Sequence, residues 1–369
     1  MCRPRGEKNR TRIRKIKFRR NTLGPIPTIL IAILVFGFLI FIHEFGHYIF
    51  ARIFKVTIKE FSIGMGPKIL KYTSEKTGIC YAISAVPLGG YVAMAGEDEE
   101  SDDPNAFNKK PAWQRLIITV AGATINIIAG FIAMIIITAV IDIGGTTVHS
   151  FGYGDYEVSS EQSGLMAGDT IIRVDGKRVR IADELSYEIM RRGHEPIDIT
   201  VIRDGEEITL RDVVFPTDSE AGQTFGMMDF YILAVDKTFG NTLGYAFSKS
   251  ALIVRMCWES IFDLITGRYS LGAVSGPVGI SEAIGDAAKA GTLQLLNIVA
   301  LISINLGVMN LMPIPALDGG RMITTLAEMI TRKKIPAKIE ATINAVGLAI
   351  LLGFSVIILI KDVIMLFIG

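Results

Sequence analysis

The chain has 369 residues, 50% of them hydrophobic and 20% charged, with a mean hydropathy of +0.42. That excludes a disordered or fibrous chain and is far too apolar for an ordinary soluble enzyme of this length. Lys and Arg number 38 against 37 Asp and Glu, a formal net charge of +1, which argues against strong attraction to nucleic acid. Ten of the basic residues and only one acid, Glu7, fall before residue 21, leaving 28 basic and 36 acidic residues, a net of −8, in the rest. A basic arm is thus attached to an acidic body. Cys2, Cys80 and Cys257 are odd in number and lack CxxC spacing, so neither a disulfide framework nor a cysteine zinc site is indicated.

Taken in chain order, the basic arm occupies residues 1–21. A helix crossing a bilayer needs ~20 apolar residues, and charge-free windows of that size run Thr22–Ile42, Leu116–Ile141, Ala290–Leu317 and Ala341–Ile360. They predict transmembrane helices at 22–50, 115–142, 290–320 and 339–368. The first is read as a retained span rather than a signal peptide, because its apolar run is long and no small-residue cleavage site follows. Residues 51–114 form a glycine-rich cytoplasmic or membrane-edge region whose glycines read as turns.

Residues 145–217 are charged and β-patterned. Ile197–Ile202 and Ile208–Val214 alternate around Asp204-Gly205, a hairpin signal. Upstream, Ser163 to Gly176 sets a Gly-Asp turn, a short apolar strand and an Asp-Gly turn in succession; this resembles the core of a protease-associated PDZ domain, with a generic small β-domain as the other reading. PDZ domains bind an extended peptide as an added strand, often by its C-terminus. Residues 218–289 read as a linker and an amphipathic interfacial helix within Asn241–Gly267, and 321–338 as a cytoplasmic loop or helix. The predicted fold class is a polytopic α-helical membrane protein with four transmembrane helices and one inserted β-rich, PDZ-like extracytoplasmic domain.

His43-Glu44-Phe45-Gly46-His47 closes the first span. Positions i and i+4 share a helix face, so both imidazoles can reach one zinc ion with Glu44 beside its open position. Three ionisable residues at the end of an apolar run also need a compensating partner, and a cation supplies one. Two histidines leave a catalytic site one ligand short. His149 and His194, in or beside the insert, read as surface residues. The third span ends in Asn310-Leu311-Met312-Pro313-Ile314-Pro315-Ala316-Leu317-Asp318-Gly319-Gly320, where Pro313 and Pro315 must break the helix. Broken backbone at membrane depth belongs against protein or a water-filled cavity. Asp318 after the break reads either as a metal ligand or as an N-cap of the next helix.

Together, the His43–His47 motif, Asn310–Gly320 and the PDZ-like insert resemble the site-2 protease family of intramembrane zinc metalloproteases, in its bacterial RseP-type form with a single PDZ domain. Phe61–Pro67, Val86–Glu97 and Ser275–Ile280 are similar to it as well, so the resemblance runs from about Ile29 to the C-terminus. It implies that His43, His47 and Asp318 bind Zn²⁺ and that Glu44 is the catalytic base. Asn310, with Pro313 and Pro315, would hold the substrate backbone or oxyanion. Gly64, Gly66, Gly89 and Gly90 would belong to a membrane re-entrant or edge-strand region receiving the unwound substrate. Gly122, Asn126 and Gly130 recur every four residues; close helix packing is the favoured reading, a secondary polar site near the cavity the other.

The function so implied is zinc-dependent endopeptidase cleavage within single-span membrane proteins. It would be the second cut after an upstream site-1 protease, on anti-sigma factors or signal-peptide remnants, with a peptide C-terminus read at the PDZ-like domain. A membrane-anchored PDZ adaptor with a vestigial metal site is the alternative. The Lys/Arg-rich loops after the first and third spans put the zinc site toward the cytoplasmic side of a bacterial cell membrane and the insert outside. The basic arm opposes that orientation, as expected of an upstream extension from a misassigned start or of an unusual adaptation.

Overall fold

The computed structural model describes residues 25–368 apart from 98, 155–156, 221–222, 269–271 and 273; the basic arm, 1–21, lies outside the described residues. Helix α1 (Pro25–Ile53) carries prolines only in its first turn, where missing N–H donors do no harm. It continues past His47 and ends before Lys55, whose backbone is left-handed.

Strands β1 (Ile58–Thr73) and β2 (Cys80–Met94) follow. Both are long and bent, so the first half of β1 pairs on one side with residues 90–94 and on the other with residues 80–83, while its second half pairs with residues 80–84. The segment read as glycine turns is therefore a sheet. Gly64, Gly66 and Gly89 (φ 86°, 86° and 90°) are its bends. The sheet packs on the end of α1 through Ala51, Val56, Ile58, Phe61 and Val92, joined by Ile118 from α2 (Ala112–Val140).

The insert begins directly after α2. Its strands are β3 (Ile143–Phe151), β4 (Thr170–Val174), β5 (Lys177–Arg178), β6 (Ile197–Arg203), β7 (Glu206–Val213), β8 (Thr217–Glu220), β9 (Gln223–Gly226) and β10 (Phe230–Val235), with α3 (Ala182–Arg192) between β5 and β6. The main sheet has the order β10-β3-β4-β6-β7, with β5 beside β4. Asp204 and Gly205 both have positive φ (51° and 89°), as a tight β6–β7 hairpin requires. The sheet extends beyond the 145–217 limits set from sequence. β10, in what reads as linker, returns to pair antiparallel with β3, Phe230 opposite Phe151 and Val235 opposite Ile143. Val148, Leu165, Ile171, Leu185, Ile189, Ile199, Val201 and Phe230 close a core of the insert's own.

Helix α4 (Phe239–Ile265) is capped by the Thr238 hydroxyl, which accepts from Asn241 N–H at 3.1 Å. One face, with Ala246 and Ile253, packs against α2 and α6 (Thr292–Asn310); the other meets α3. A further helix, α5 (Pro277–Ala290), precedes α6, and Gly291 (φ 127°) separates them. The apolar window from Ala290 to Leu317 is thus not one helix: Gly291 interrupts its start, and helical structure stops at Asn310, three residues before Pro313. Helix α7 (Asp318–Thr331) occupies much of the expected cytoplasmic loop. Helix α8 (Ala337–Ile368) ends the described chain. Among the described residues, four helices (α1, α2, α6 and α8) are long and apolar enough to cross a membrane.

Candidate metal centre

Helices α1, α2 and α7 converge on one point. His43 and His47, one turn apart on α1, direct their Nε2 atoms at each other across 3.2 Å. Asp318, in the first turn of α7, places Oδ2 at 3.2 Å from His43 Nε2 and 3.4 Å from His47 Nε2. Tetrahedral zinc with bonds of ~2.0–2.1 Å separates its ligand atoms by about 3.3 Å. The three atoms already stand at that spacing. Asp318 Oδ2 is buried and has no well-aligned hydrogen-bond donor.

The groups behind the two histidines fix their chemistry. His47 Nδ1 lies 2.8 Å from the Ile118 carbonyl oxygen. A carbonyl can only accept, so Nδ1 carries the proton and Nε2 keeps its lone pair for a metal. His43 Nδ1 faces the amide of Asn126, 3.4 Å from Nδ2. Asn126 is fully buried in α2, and its Oδ1 has no partner. Asn126 therefore stands behind a histidine, which the four-residue recurrence with Gly122 and Gly130 does not reveal.

Two glycines make the convergence sterically possible. A Cβ on Gly122 would fall 2.4 Å from His47 Nε2 and 2.9 Å from His43 Nε2, so α2 can pass behind the pair only without a side chain there. A Cβ on Gly319 would fall 1.9 Å from the Met312 carbonyl oxygen, so α7 can start hard against the end of α6. Asp318 is not the N-cap. Leu317 occupies that position without a side-chain cap, and the Asp318 carboxylate turns to the histidines instead.

Glu44 lies beside His43, His47 and Asp318, with the sheet over it: a Cβ on Gly90 would fall 3.0 Å from Glu44 Cγ. Gly64, Gly66 and Gly89 stay within the sheet, backed by Val86, Ser84 and Met65, and do not reach the metal centre. Asn310 is the last residue of α6. Pro313 and Pro315 lie in the non-helical segment before α7, Pro313 exposed and Pro315 against Gly347 of α8. His149 and His194 are exposed on the insert. Among the described residues, His43, His47 and Asp318 are the group of three able to hold a metal ion.

A match to Peptidase family M50 covers residues 31–354, most of the chain and all of these side chains. The chain belongs to Peptidase family M50. A protein of Clostridium acetobutylicum bearing the name of a zinc metalloprotease is 36% identical over 337 residues, 91% of this chain and 97% of its own length. One of Fusobacterium nucleatum with the same kind of name is 34% identical, over 92% of this chain and 99% of its own. The regulator of sigma-W protease RasP of Bacillus subtilis is 25% identical, over 93% and 99%. This M50 chain is a metalloendopeptidase of the site-2 protease type, and zinc is its metal.

Proposed function

We propose that the chain spans a bacterial cytoplasmic membrane four times and cleaves membrane-spanning segments of single-span proteins, with His43, His47 and Asp318 as zinc ligands and Glu44 as the base. The observation that carries this reading is the three ligand atoms at zinc spacing, beside Glu44 and among long apolar helices. Bound zinc supplies Lewis-acid activation of water and of the scissile carbonyl. Glu44 takes the proton of the attacking water and delivers it to the leaving amine. Asn310, at the mouth of the helix break, donates its amide to the carbonyl oxygen as charge develops there. Asn126 orients His43: with its amide turned so that Oδ1 accepts from Nδ1–H, the orphaned oxygen is satisfied and Nε2 is left for the metal.

A helical peptide bond is hydrogen-bonded and shielded, so the substrate segment must unwind before attack, which favours substrates rich in helix-weakening residues. The sheet of β1 and β2, which reaches Glu44 through Gly90, receives the unwound strand along Pro313 and Pro315. The insert is a PDZ-like domain facing outward, where edge strand β10 takes up a peptide C-terminus left by an upstream protease or excludes bulky outer domains. The Lys/Arg-rich segments after α1 and α6 place the zinc site toward the cytoplasm. The likeness to RasP supports an anti-sigma factor as one substrate.

The test is cleavage of a single-span reporter by purified full-length protein. Glu44→Gln should keep its zinc and lose cleavage by several orders of magnitude; His43→Ala and Asp318→Ala should lose zinc as well. Wild-type cleavage by Glu44→Gln would sink the assignment.

A further inference from the structure

The segment that carries Asp318 is a tight turn with an unsuitable residue at its crux. Leu317 N–H donates to the Ile314 carbonyl at 3.2 Å, closing a turn over Ile314-Pro315-Ala316-Leu317. Proline at the second position and a positive φ at the third make the type II pattern, whose third position normally takes Gly or Asn. Here it is Ala316, at φ 73°. The other described non-glycine residues with positive φ are Lys55, Asp175, Asp204, Asp212 and Arg332, all polar or charged. An alanine has neither glycine's freedom nor a polar side chain to bond its own backbone, and left to itself it prefers the type I form. The two forms differ by a flip of the Pro315–Ala316 peptide, which reverses the direction of the Ala316 N–H.

That N–H distinguishes them. It donates to Asn344 Oδ1 of α8 at 3.2 Å. Flipped, it would leave the Asn344 oxygen without this donor and point a backbone donor elsewhere at a depth where few partners exist. α8 also meets this peptide at Gly347, whose missing Cβ would fall 2.4 Å from Pro315 Cβ and 2.7 Å from the Pro315 carbonyl oxygen, and it lines an apolar cleft of about 320 Å³ between Ile314–Pro315 and Ile343, Val346 and Ile350. Gly347 leaves room for that carbonyl, and the hydrogen bond that fixes the direction of the peptide is the one to Asn344.

We infer that Asn344, on the fourth span, is a positioning residue for the metal centre: it holds the Pro315–Ala316 peptide in the type II orientation and so keeps Asp318, two residues on, directed at His43 and His47. This rests on the zinc assignment above. The experiment measures zinc release from the full-length protein in detergent to a chromophoric chelator. Asn344→Leu should release zinc about tenfold faster than wild type, the lower end for a residue supporting a ligand. Ala316→Gly, which adopts the left-handed form unaided, should restore the wild-type rate to within about twofold when combined with Asn344→Leu.

Wild-type release by Asn344→Leu overturns the inference. So does failure of Ala316→Gly to rescue it, which would make Asn344 a general packing residue. If the wild-type protein binds no zinc, or His43→Ala releases zinc no faster than wild type, it is the ligand assignment that fails.

Discussion

The metal centre and the seat of the insert are both places where two parts of the chain meet, and they are held in opposite ways. At the metal centre, contact comes from what is missing: Gly122 has no side chain, so α2 lies against the two imidazoles. At the insert, contact comes from charge. Arg191 of α3 bonds Asp263 of α4 through Nη1 and Nη2 at 2.5 and 2.9 Å, Tyr187 donates to Glu259 at 2.7 Å, and Arg255 pairs with Glu188. Lys249 and Tyr245 add bonds to Asp183. Close backbone approach admits almost no displacement, whereas ion pairs between long side chains can loosen and re-form. The centre is built to hold atoms to tenths of an ångström, the seat to hold a domain in an orientation.

Four measurements test this contrast. The largest effect belongs to Gly122→Ala: overpacking typically costs about 1–3 kcal/mol, here against the His43 and His47 imidazoles, so zinc retention should fall up to about a hundredfold while the insert's amide protection is unchanged. Arg191→Ala should do the reverse. It strands the buried Asp263 carboxylate, so amide exchange in α3 and at the end of α4 should rise about tenfold, with zinc release unaltered.

A smaller effect is expected from pH. The Asp263 hydrogen bond raises Arg191 above the ordinary arginine value, and burial, with the Glu259 bond, raises Tyr187 above the ordinary phenol value. A group raised on folding contributes fully below its unfolded value, ~10 for Tyr, and loses that contribution only as pH climbs through the folded one. α3–α4 exchange protection attributable to these two groups should therefore be flat between about pH 7 and 9. Smallest is Lys237→Ala: its partner Asp142 is 91% exposed, and stability should not change measurably.

How much the sequence disclosed follows the range of the interactions. His43 and His47 are legible because i and i+4 fix a shared face, and the β6–β7 hairpin because Asp204-Gly205 demands its turn. Asp318 lies 271 residues beyond His47, and no local pattern ties them; only the resemblance does, while spacing alone leaves an N-cap open. β10 was hidden because an edge strand is defined by its partner, β3, some eighty residues earlier. The β1–β2 sheet was masked by the glycines that bend it, which in isolation signal turns. Gly122 and Asn126 were legible as a packing face, but that the packed object is a histidine pair emerges only when α1 and α2 are set side by side. Most invisible of all is the Ile118 carbonyl, a backbone atom that sets the proton on His47 and has no residue type to announce it.

The return of β10 to β3 has one more consequence. Because Ile143 and Val235 face each other across the same pair of strands, the chain leaves the helical body and re-enters it at one spot, like a room reached through a single doorway. A length of ninety-odd residues is hung there without separating the helices on either side. Such a module can be exchanged, enlarged or lost over evolution by editing one short junction, and among the described residues a pull on it reaches the helical body through that doorway, α4 and Arg268.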